Sequence, residues 1–378
     1  MTERGSSRFA WPVRRRTPAD LPGPDGTAED IAAQDIAERE AADRRLPPPP
    51  PEPIVEAPPR FNVAVFRLGG LGLALVLALV VALIRVIGTG PPSIAQLRAE
   101  AGVDGWPFLT VGVKGDQPGI GYYDPKQHSW SGFDVDIAYM IAEDLGFRRQ
   151  EVKFYAIESE DRARMQATDP ASDPPNKRVP VNMVIASYSI TAERIANGVH
   201  FSVPYLYTEQ SVVTLKDHSP VNTLNDLAHK KVCSLSASTS SSALTQAKAD
   251  VVTRNQVSEC FGLLYDHGVE AISTDAAILG GYKAGPDGAK IRHWDIGLDR
   301  SEKWGINVGE NKALETLVNI TLYKSWKDPH DDRWELAYRN NIQPEIDENL
   351  PTPLAVAEQP PVVPRPDVRQ LPWETDLP

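Results

Sequence analysis

From Leu68 to Ile84 no charged residue interrupts the chain, and Phe61 to Phe66 before it and Val86-Ile87 after it lengthen the apolar stretch. A helix needs about 20 apolar residues to cross a bilayer, and arginines such as Arg67 and Arg85 can snorkel from its ends. The pattern predicts a single transmembrane helix over residues 61–88. Beyond it the period changes. Ser93 to Ala101 reads as a short helix capped by Ser93, part of a stalk over 89–107. Leu109 to Val113 alternates as a strand and enters Asp116-Gln117-Pro118-Gly119-Ile120-Gly121, read as a glycine-rich loop. Gly132-Phe133-Asp134-Val135-Asp136 opens a helix with Ala138, Ile141, Ala142 and Leu145 on one face, stopped by Gly146.

After a loop-like insertion over 167–180 comes a strand, Val181 to Ala186. The pattern continues as strand (Ser211 to Leu215), helix (Leu224 to Ala228), strand (Lys231 to Leu235), helix (Ser240 to Lys248), strand (Ala271 to Asp275) and a further helix. One helical run, Ala313 to Asn340, ends it. Strands alternating with helices predict an open α/β sheet.

Composition narrows where that fold lies. Of 378 residues 34 are proline, concentrated at the two ends, among them Pro47 to Pro53 broken only by Glu52. Residues 1–60 and 344–378 are therefore expected as disordered tails, apart from a short helix near Ile31 to Arg45. The formal net charge of −12 and the lack of a Lys/Arg block beyond Arg14-Arg15-Arg16 exclude a nucleic-acid surface. A cleaved secretory signal and a buried soluble helix compete for the apolar run. A long polar tail precedes the run, however, and no A-x-A site or lipid-accepting cysteine follows, so the reading is an uncleaved signal anchor. Its flanking arginines, Arg60 and Arg67 against Arg85 and Arg98, barely decide the orientation.

Three strand ends carry chemistry. In Ala186-Ser187-Tyr188-Ser189-Ile190-Thr191-Ala192-Glu193-Arg194, a buried strand gives way to small hydroxyls and one arginine. Guanidinium matches a carboxylate bidentately, and Ser187 and Ser189 add short-range donors; the plainer reading is a salt-bridged surface arginine. Ser236-Ala237-Ser238-Thr239-Ser240 leads into a helix, where ordinary N-capping competes with ligand contact. Asp275 ends an apolar strand and is either a helix cap or a carboxylate for a buried cation. Asp134 and Asp136 suit the first turn of a helix better than a metal site. No metal, cofactor or catalytic residues are assigned: GxSxG, HExxH, paired CxxC and GxxxxGK patterns are absent.

The stretch Ser189-Ile190-Thr191-Ala192-Glu193-Arg194 and the later Phe201-Ser202-Val203-Pro204-Tyr205 resemble the ITxxR and FSxPY signatures of the extracytoplasmic amino-acid-binding proteins of ABC transporters, solute-binding protein family 3. The helix opening at Gly132 resembles that family's GFDVDxAxxxAxxLG, and Glu302-Lys303-Trp304-Gly305-Ile306 is a further landmark. The resemblance spans about Phe108 to Ile342 and implies a type II periplasmic-binding-protein fold, two α/β lobes joined by two crossing strands. Lobe one would take 108–206 plus 302–343, and lobe two 207–301.

It further implies that Arg194, with Ser187 and Ser189, holds an α-carboxylate, that Ser238 and Thr239 add donors, and that Asp275 takes the α-ammonium. Ala237 stands where the family has glycine, and Asn182 where it often has aspartate. The 116–121 segment, with Gly119 as its ligand contact, and the pair Cys233 and Cys260 look most like the glutamate-binding branch. A disulfide between those cysteines would add roughly 3 kcal/mol; two buried thiols are the alternative. Lys114, Arg162 and the 116–121 backbone are open candidates for reading a ligand's side chain.

The expected function is a membrane-anchored receptor with a cytoplasmic N-terminus and an extracytoplasmic binding domain. It would bind glutamate, aspartate, glutamine or asparagine and serve an ABC permease or a membrane signalling protein. A dehydratase-like enzyme and a non-binding scaffold are the competing classes.

Overall fold

The computed structural model describes residues 63–88, 90–170, 172, 177–294, 296, 302–344 and 358–370. The expected helix near Ile31 to Arg45 lies outside them. Helix α1 (Val63–Gly88) carries the apolar run, and its segment Val63–Arg85 is long and apolar enough to cross a membrane.

The folded part begins with helix α2 (Ile94–Ala101), capped by the Ser93 hydroxyl, which accepts from Gln96 N. Strand β1 (Leu109–Val113) leads to a small meander of β2 (Asp116–Gln117), β3 (Gly121–Asp124) and β4 (Ser129–Ser131), then helix α3 (Phe133–Asp144). Gly132 makes that entry: its φ is +122°, and a Cβ there would lie 2.4 Å from the Ile120 carbonyl oxygen. Strands β5 (Val152–Ala156), β6 (Gln166–Thr168), β7 (Arg178–Pro180) and β8 (Met183–Val184) complete a sheet of order β7-β6-β5-β1-β8. Its centre is parallel, β1 lying between β5 and β8, and Leu109, Val111 and Val113 are fully buried there. These three alternate along the strand with half-buried Thr110 and buried Gly112, so one face carries the apolar side chains.

After the short helix α4 (Ala192–Ala196), β9 (Leu206–Thr208) carries the chain into β10 (Gln210–Leu215). The second sheet adds β11 (Lys231–Leu235), helix α5 (Thr239–Gln246), β12 (Asp250–Arg254), helix α6 (Val257–Tyr265), β13 (Ala271–Asp275), helix α7 (Ala276–Lys283) and β14 (Ile291–Trp294). Its order is β12-β11-β13-β10-β14, with β10 antiparallel to both neighbours. The chain returns along β15 (Glu302–Trp304), antiparallel to β9. Asn307 then bridges Val184 and Phe201, which closes the first lobe around the returning chain. Two lobes joined by two crossing strands are what the resemblance implies. Cys233 on β11 and Cys260 on α6 form a disulfide, with Cα atoms 5.5 Å apart.

Several local expectations need correction. The 116–121 loop is part of a hairpin, with β2 at its start and β3 beginning at Gly121. The 167–180 insertion contributes the antiparallel strands β6 and β7, although residues 171 and 173–176 are outside the described set. The strand expected over Val181 to Ala186 is only Met183–Val184, and Leu224–Leu227 is a single 3₁₀ turn. Cys260 lies in α6, the helix that follows β12.

The last helical run is two helices, α8 (Lys312–Lys327) and α9 (Arg333–Asn341). Pro329 disfavours helical geometry in the residue before it, and Asp328 is extended at φ −87°, ψ 112°. Residues 358–370, which composition assigns to the tail, are also packed. Glu358 and Tyr207 exchange both backbone hydrogen bonds at 2.8 Å, Val363 is buried, and Arg369 N donates to the Pro92 carbonyl.

Candidate functional site

Arg194 is held by local structure first. Thr191 caps α4 by accepting from Arg194 N at 3.2 Å. The guanidinium donates to the Ser189 carbonyl at 2.5 Å and reaches across to the second lobe, where the Ala237 carbonyl accepts at 2.7 Å. A second arginine joins it. Arg162, buried just after the turn Ser159–Asp161, donates to the Ser159, Ala186 and Ser187 carbonyls at 3.0–3.2 Å and to Ala237 at 3.4 Å. Both guanidinium groups lie over the Tyr188 ring, 4.5 and 4.6 Å from its centroid. A ring face attracts cations, so one tyrosine steadies two arginines that otherwise repel. Burial, and next the Arg194 charge, lower the Arg162 pKa to about 10, so it stays protonated at neutral pH.

The backbone around them is strained. Ser187 and Ala237 have φ of +42° and +52°, the left-handed region that costs a side chain of either type on the order of 1 kcal/mol. Asp134 pins the first turn: its carboxylate accepts from Ser187 N at 2.9 Å and from the Tyr205 hydroxyl at 2.8 Å. It lies in the first turn of α3, as expected, and is also a buried lock between that helix and the 187 turn. Burial drives its pKa up to about 7 against both hydrogen bonds. Asp136 accepts from Asn341 Nδ2 at 2.8 Å, and Asn182 accepts from Thr110 N at 2.9 Å, so both are structural.

Asp275 ends β13, buried, and makes no side-chain capping bond to α7. Its carboxylate accepts instead from the Trp304 indole at 2.6 Å. Burial and then Glu302 push its pKa up; the indole, Arg162 and Arg194 pull it down. The two arginine charges are thus felt at the carboxylate.

The expected residues do not all converge. Arg194, Ser238 and Thr239 line one interlobe hollow of about 450 Å³, together with Tyr188 and Thr191. Ser238 is the N-cap of α5, accepting from Ser241 N at 3.1 Å and donating to the Leu235 carbonyl at 2.6 Å, so its hydroxyl serves the helix. Ser189 contributes its carbonyl to Arg194, while Ser187 directs its hydroxyl to Gln117 Oε1 at 3.1 Å. Gly119 turns the β2–β3 hairpin at φ +76°, and its carbonyl accepts from Phe133 N. Among the described residues no hydrogen bond links Gly119 to the arginines.

Sequence leaves Lys114, Arg162 and the 116–121 backbone open, and gives no signal for the contacts that the Tyr188, Trp304 and Gln117 side chains make here. Tyr188 and Trp304 lie inside quoted motifs, but nothing in spacing says that a ring faces a guanidinium or an indole faces a carboxylate. No three His, Cys, Asp or Glu side chains converge as a metal centre requires among the described residues.

Known proteins resemble this chain in sequence and fold. Residues 109–334 match the family described as bacterial extracellular solute-binding proteins, family 3. The chain is 33% identical over 229 residues to the glutamate-binding protein GluB of Corynebacterium glutamicum, covering 55% of this chain and 73% of that one. It is 29% identical over 239 residues to the ABC transporter glutamine-binding protein GlnH of Bacillus subtilis, covering 62% and 81%. An ancestral arginine-binding protein solved with glutamine superposes with a TM-score of 0.53 at 28% identity, over 62% of this chain and 97% of that one. The L-cysteine solute receptor of Neisseria gonorrhoeae shares the fold, with a TM-score of 0.56 at 24% identity, over 70% and 99%. With motif order, sheet order and crossing strands all in agreement over one continuous stretch, this chain belongs to the bacterial extracellular solute-binding proteins, family 3.

Proposed function

We propose that the chain is a membrane-anchored extracytoplasmic receptor whose two lobes, 108–206 with 302–343 and 207–301, close on a polar or acidic amino acid. Arg194 takes the α-carboxylate from the first lobe, supported by Ser189, and Asp275 takes the α-ammonium from the second, beside Thr239. The observation that supports this reading is one interlobe hollow lined by part-buried Arg194 and by Ser238 and Thr239, with the buried Asp275 carboxylate near enough to feel the Arg162 and Arg194 charges. A zwitterion supplies the counter-charge to each, and burying either charge unpaired would cost several kcal/mol.

Helix α1 anchors the receptor with the binding domain outside. The bound amino acid is handed to an ABC permease or reported to a membrane signalling partner. The long polar segment before the anchor favours reporting, since delivery alone has no use for it.

A non-binding scaffold is the second reading, favoured by one contact: the Ala237 carbonyl accepts from both arginines, at 3.4 Å from Arg162 and 2.7 Å from Arg194. A thermal-shift screen of the full-length chain against the twenty amino acids separates the two. A ligand at 100 times its dissociation constant adds about 2.7 kcal/mol, a clear rise in melting temperature. A rise with Glu, Asp, Gln or Asn supports the receptor; no rise with any amino acid supports the scaffold.

A further inference from the structure

Beyond the two lobes the chain comes back to the strands that join them. Glu358 and Tyr207 exchange backbone hydrogen bonds at 2.8 Å, and Tyr207 lies in β9, whose other edge is taken by β15. These are the two crossing strands, so Glu358 adds a third chain to the hinge itself. Further along, Arg369 N donates to the Pro92 carbonyl at 3.0 Å. Pro92 lies between the end of α1 at Gly88 and the Ser93 cap of α2. Residues 358–370 thus bond the hinge at one end and the stalk at the other.

Between those ends the segment is built as a stiff spacer. Pro360, Val363, Pro366 and Arg369 are buried or half-buried, whereas Pro361, Val362, Pro364 and Arg365 are exposed. Inward positions at every third residue match polyproline II, which turns once in three residues without internal hydrogen bonds. Pro360, Pro361, Pro364 and Pro366 have no N–H to pair, which suits a segment bonded chiefly at its ends. Val363 joins the apolar cluster that contains Leu206 and Trp304 of the crossing strands. A proline-rich segment of this kind extends about 3.1 Å per residue and resists bending. A displacement at Tyr207 is therefore passed on to Pro92 rather than absorbed as slack.

The hinge is also where the state of the cleft is set. Closure of two lobes is absorbed by φ/ψ changes at a few residues of the connecting strands. The segment is docked while the lobes touch: Arg194 donates to the Ala237 carbonyl at 2.7 Å, and the Asp116 carboxylate of the first lobe accepts from Ser258 N of the second at 3.0 Å. A change in β9 large enough to part those contacts also disturbs the Tyr207–Glu358 pair. Docking of the segment therefore favours closed lobes, and by linkage closed lobes favour docking.

We infer that residues 358–370 are a strap that couples the lobe hinge to the stalk, so that closure of the cleft is registered at the segment that follows α1. The coupling goes beyond the amino-acid reading and does not depend on which ligand closes the cleft.

The test is hydrogen exchange of the detergent-solubilised full-length chain without ligand, resolved to single amides by mass spectrometry. Ser258 N is in the first turn of α6, where no intrahelical acceptor is available, and its partner is Asp116 across the cleft, so its amide reports closure. Arg369→Pro removes the donor to Pro92, and Arg369→Ala keeps it. The expected result is exchange about fivefold or more faster at both Tyr207 and Ser258 in Arg369→Pro, and wild-type rates in Arg369→Ala. Faster exchange at Tyr207 with Ser258 unchanged overturns the coupling, because the segment then steadies one strand only. Unchanged exchange at both amides, or equal acceleration by the two variants, also overturns it. Should Arg369→Pro not fold, Glu358→Pro is read from the other end: faster exchange at the Arg369 amide supports the strap, and an unchanged rate there refutes it.

Discussion

Trp304 donates its indole N–H to the Asp275 carboxylate at 2.6 Å, tying the strand that returns from the second lobe to the end of β13. The indole is a neutral donor that favours the ionised carboxylate against burial and Glu302. Trp304→Phe keeps an aromatic ring against Tyr205 and removes the donor. Asp275 then holds its proton to higher pH, and amino-acid affinity near neutral pH falls about tenfold. Titration at pH 6.5 and 8.5 checks the cause: the loss shrinks at the higher pH if protonation is responsible, and is the same at both if it is not.

Asp134 makes a pH prediction whose sign is fixed by its raised pKa. Between the unfolded value near 4 and the folded value of about 7, the folded chain holds a proton that the unfolded chain has lost. Unfolding free energy therefore falls as pH rises through that window. His293 acts in the opposite sense, because burial lowers its pKa to about 3, so the comparison must be differential. Urea midpoints at pH 5 and pH 8 should fall more in the wild type than in Asp134→Asn.

The Cys233–Cys260 bridge closes a loop of 27 residues. Cys233→Ser should cost about 3–4 kcal/mol on the loop-entropy estimate. Dithiothreitol should lower the wild-type melting temperature to a similar degree and leave the variant unmoved.

Residues 358–370 bear on the stability of the crossing strands. Val363 is 4% exposed, and Val363→Ala should destabilise the chain by about 2 kcal/mol. A loss below about 0.5 kcal/mol in chemical denaturation would mean that this segment is not packed in solution.

Much of the sequence could be read directly where a local signal and a tertiary role coincide. β1, β11 and β13 have the bounds their apolar runs predict, and Ser93 caps α2 as expected. The readings that failed depend on partners far along the chain. Val363 lies among prolines, and its composition gives no hint that a hydrophobic surface waits for it. Asp134 is legible as a first-turn acid, but its partners are Ser187 and Tyr205, 53 and 71 residues away. Ala237 adopts the left-handed backbone its glycine counterpart would take freely, which spacing alone could not show. Arg194 was readable from its motif. Arg162 was one of three candidates until its bonds to Ala186, Ser187 and Ala237 placed it beside Arg194.

The most direct test of the amino-acid cleft is a comparison of the full-length wild type with Arg194→Ala. Binding is measured by calorimetry, and folding by the melting curve without ligand. Arg194 is part-exposed, so its removal should leave the melting temperature within about 3 °C while abolishing measurable amino-acid binding, a loss of more than about a hundredfold. Normal affinity in Arg194→Ala would contradict the account.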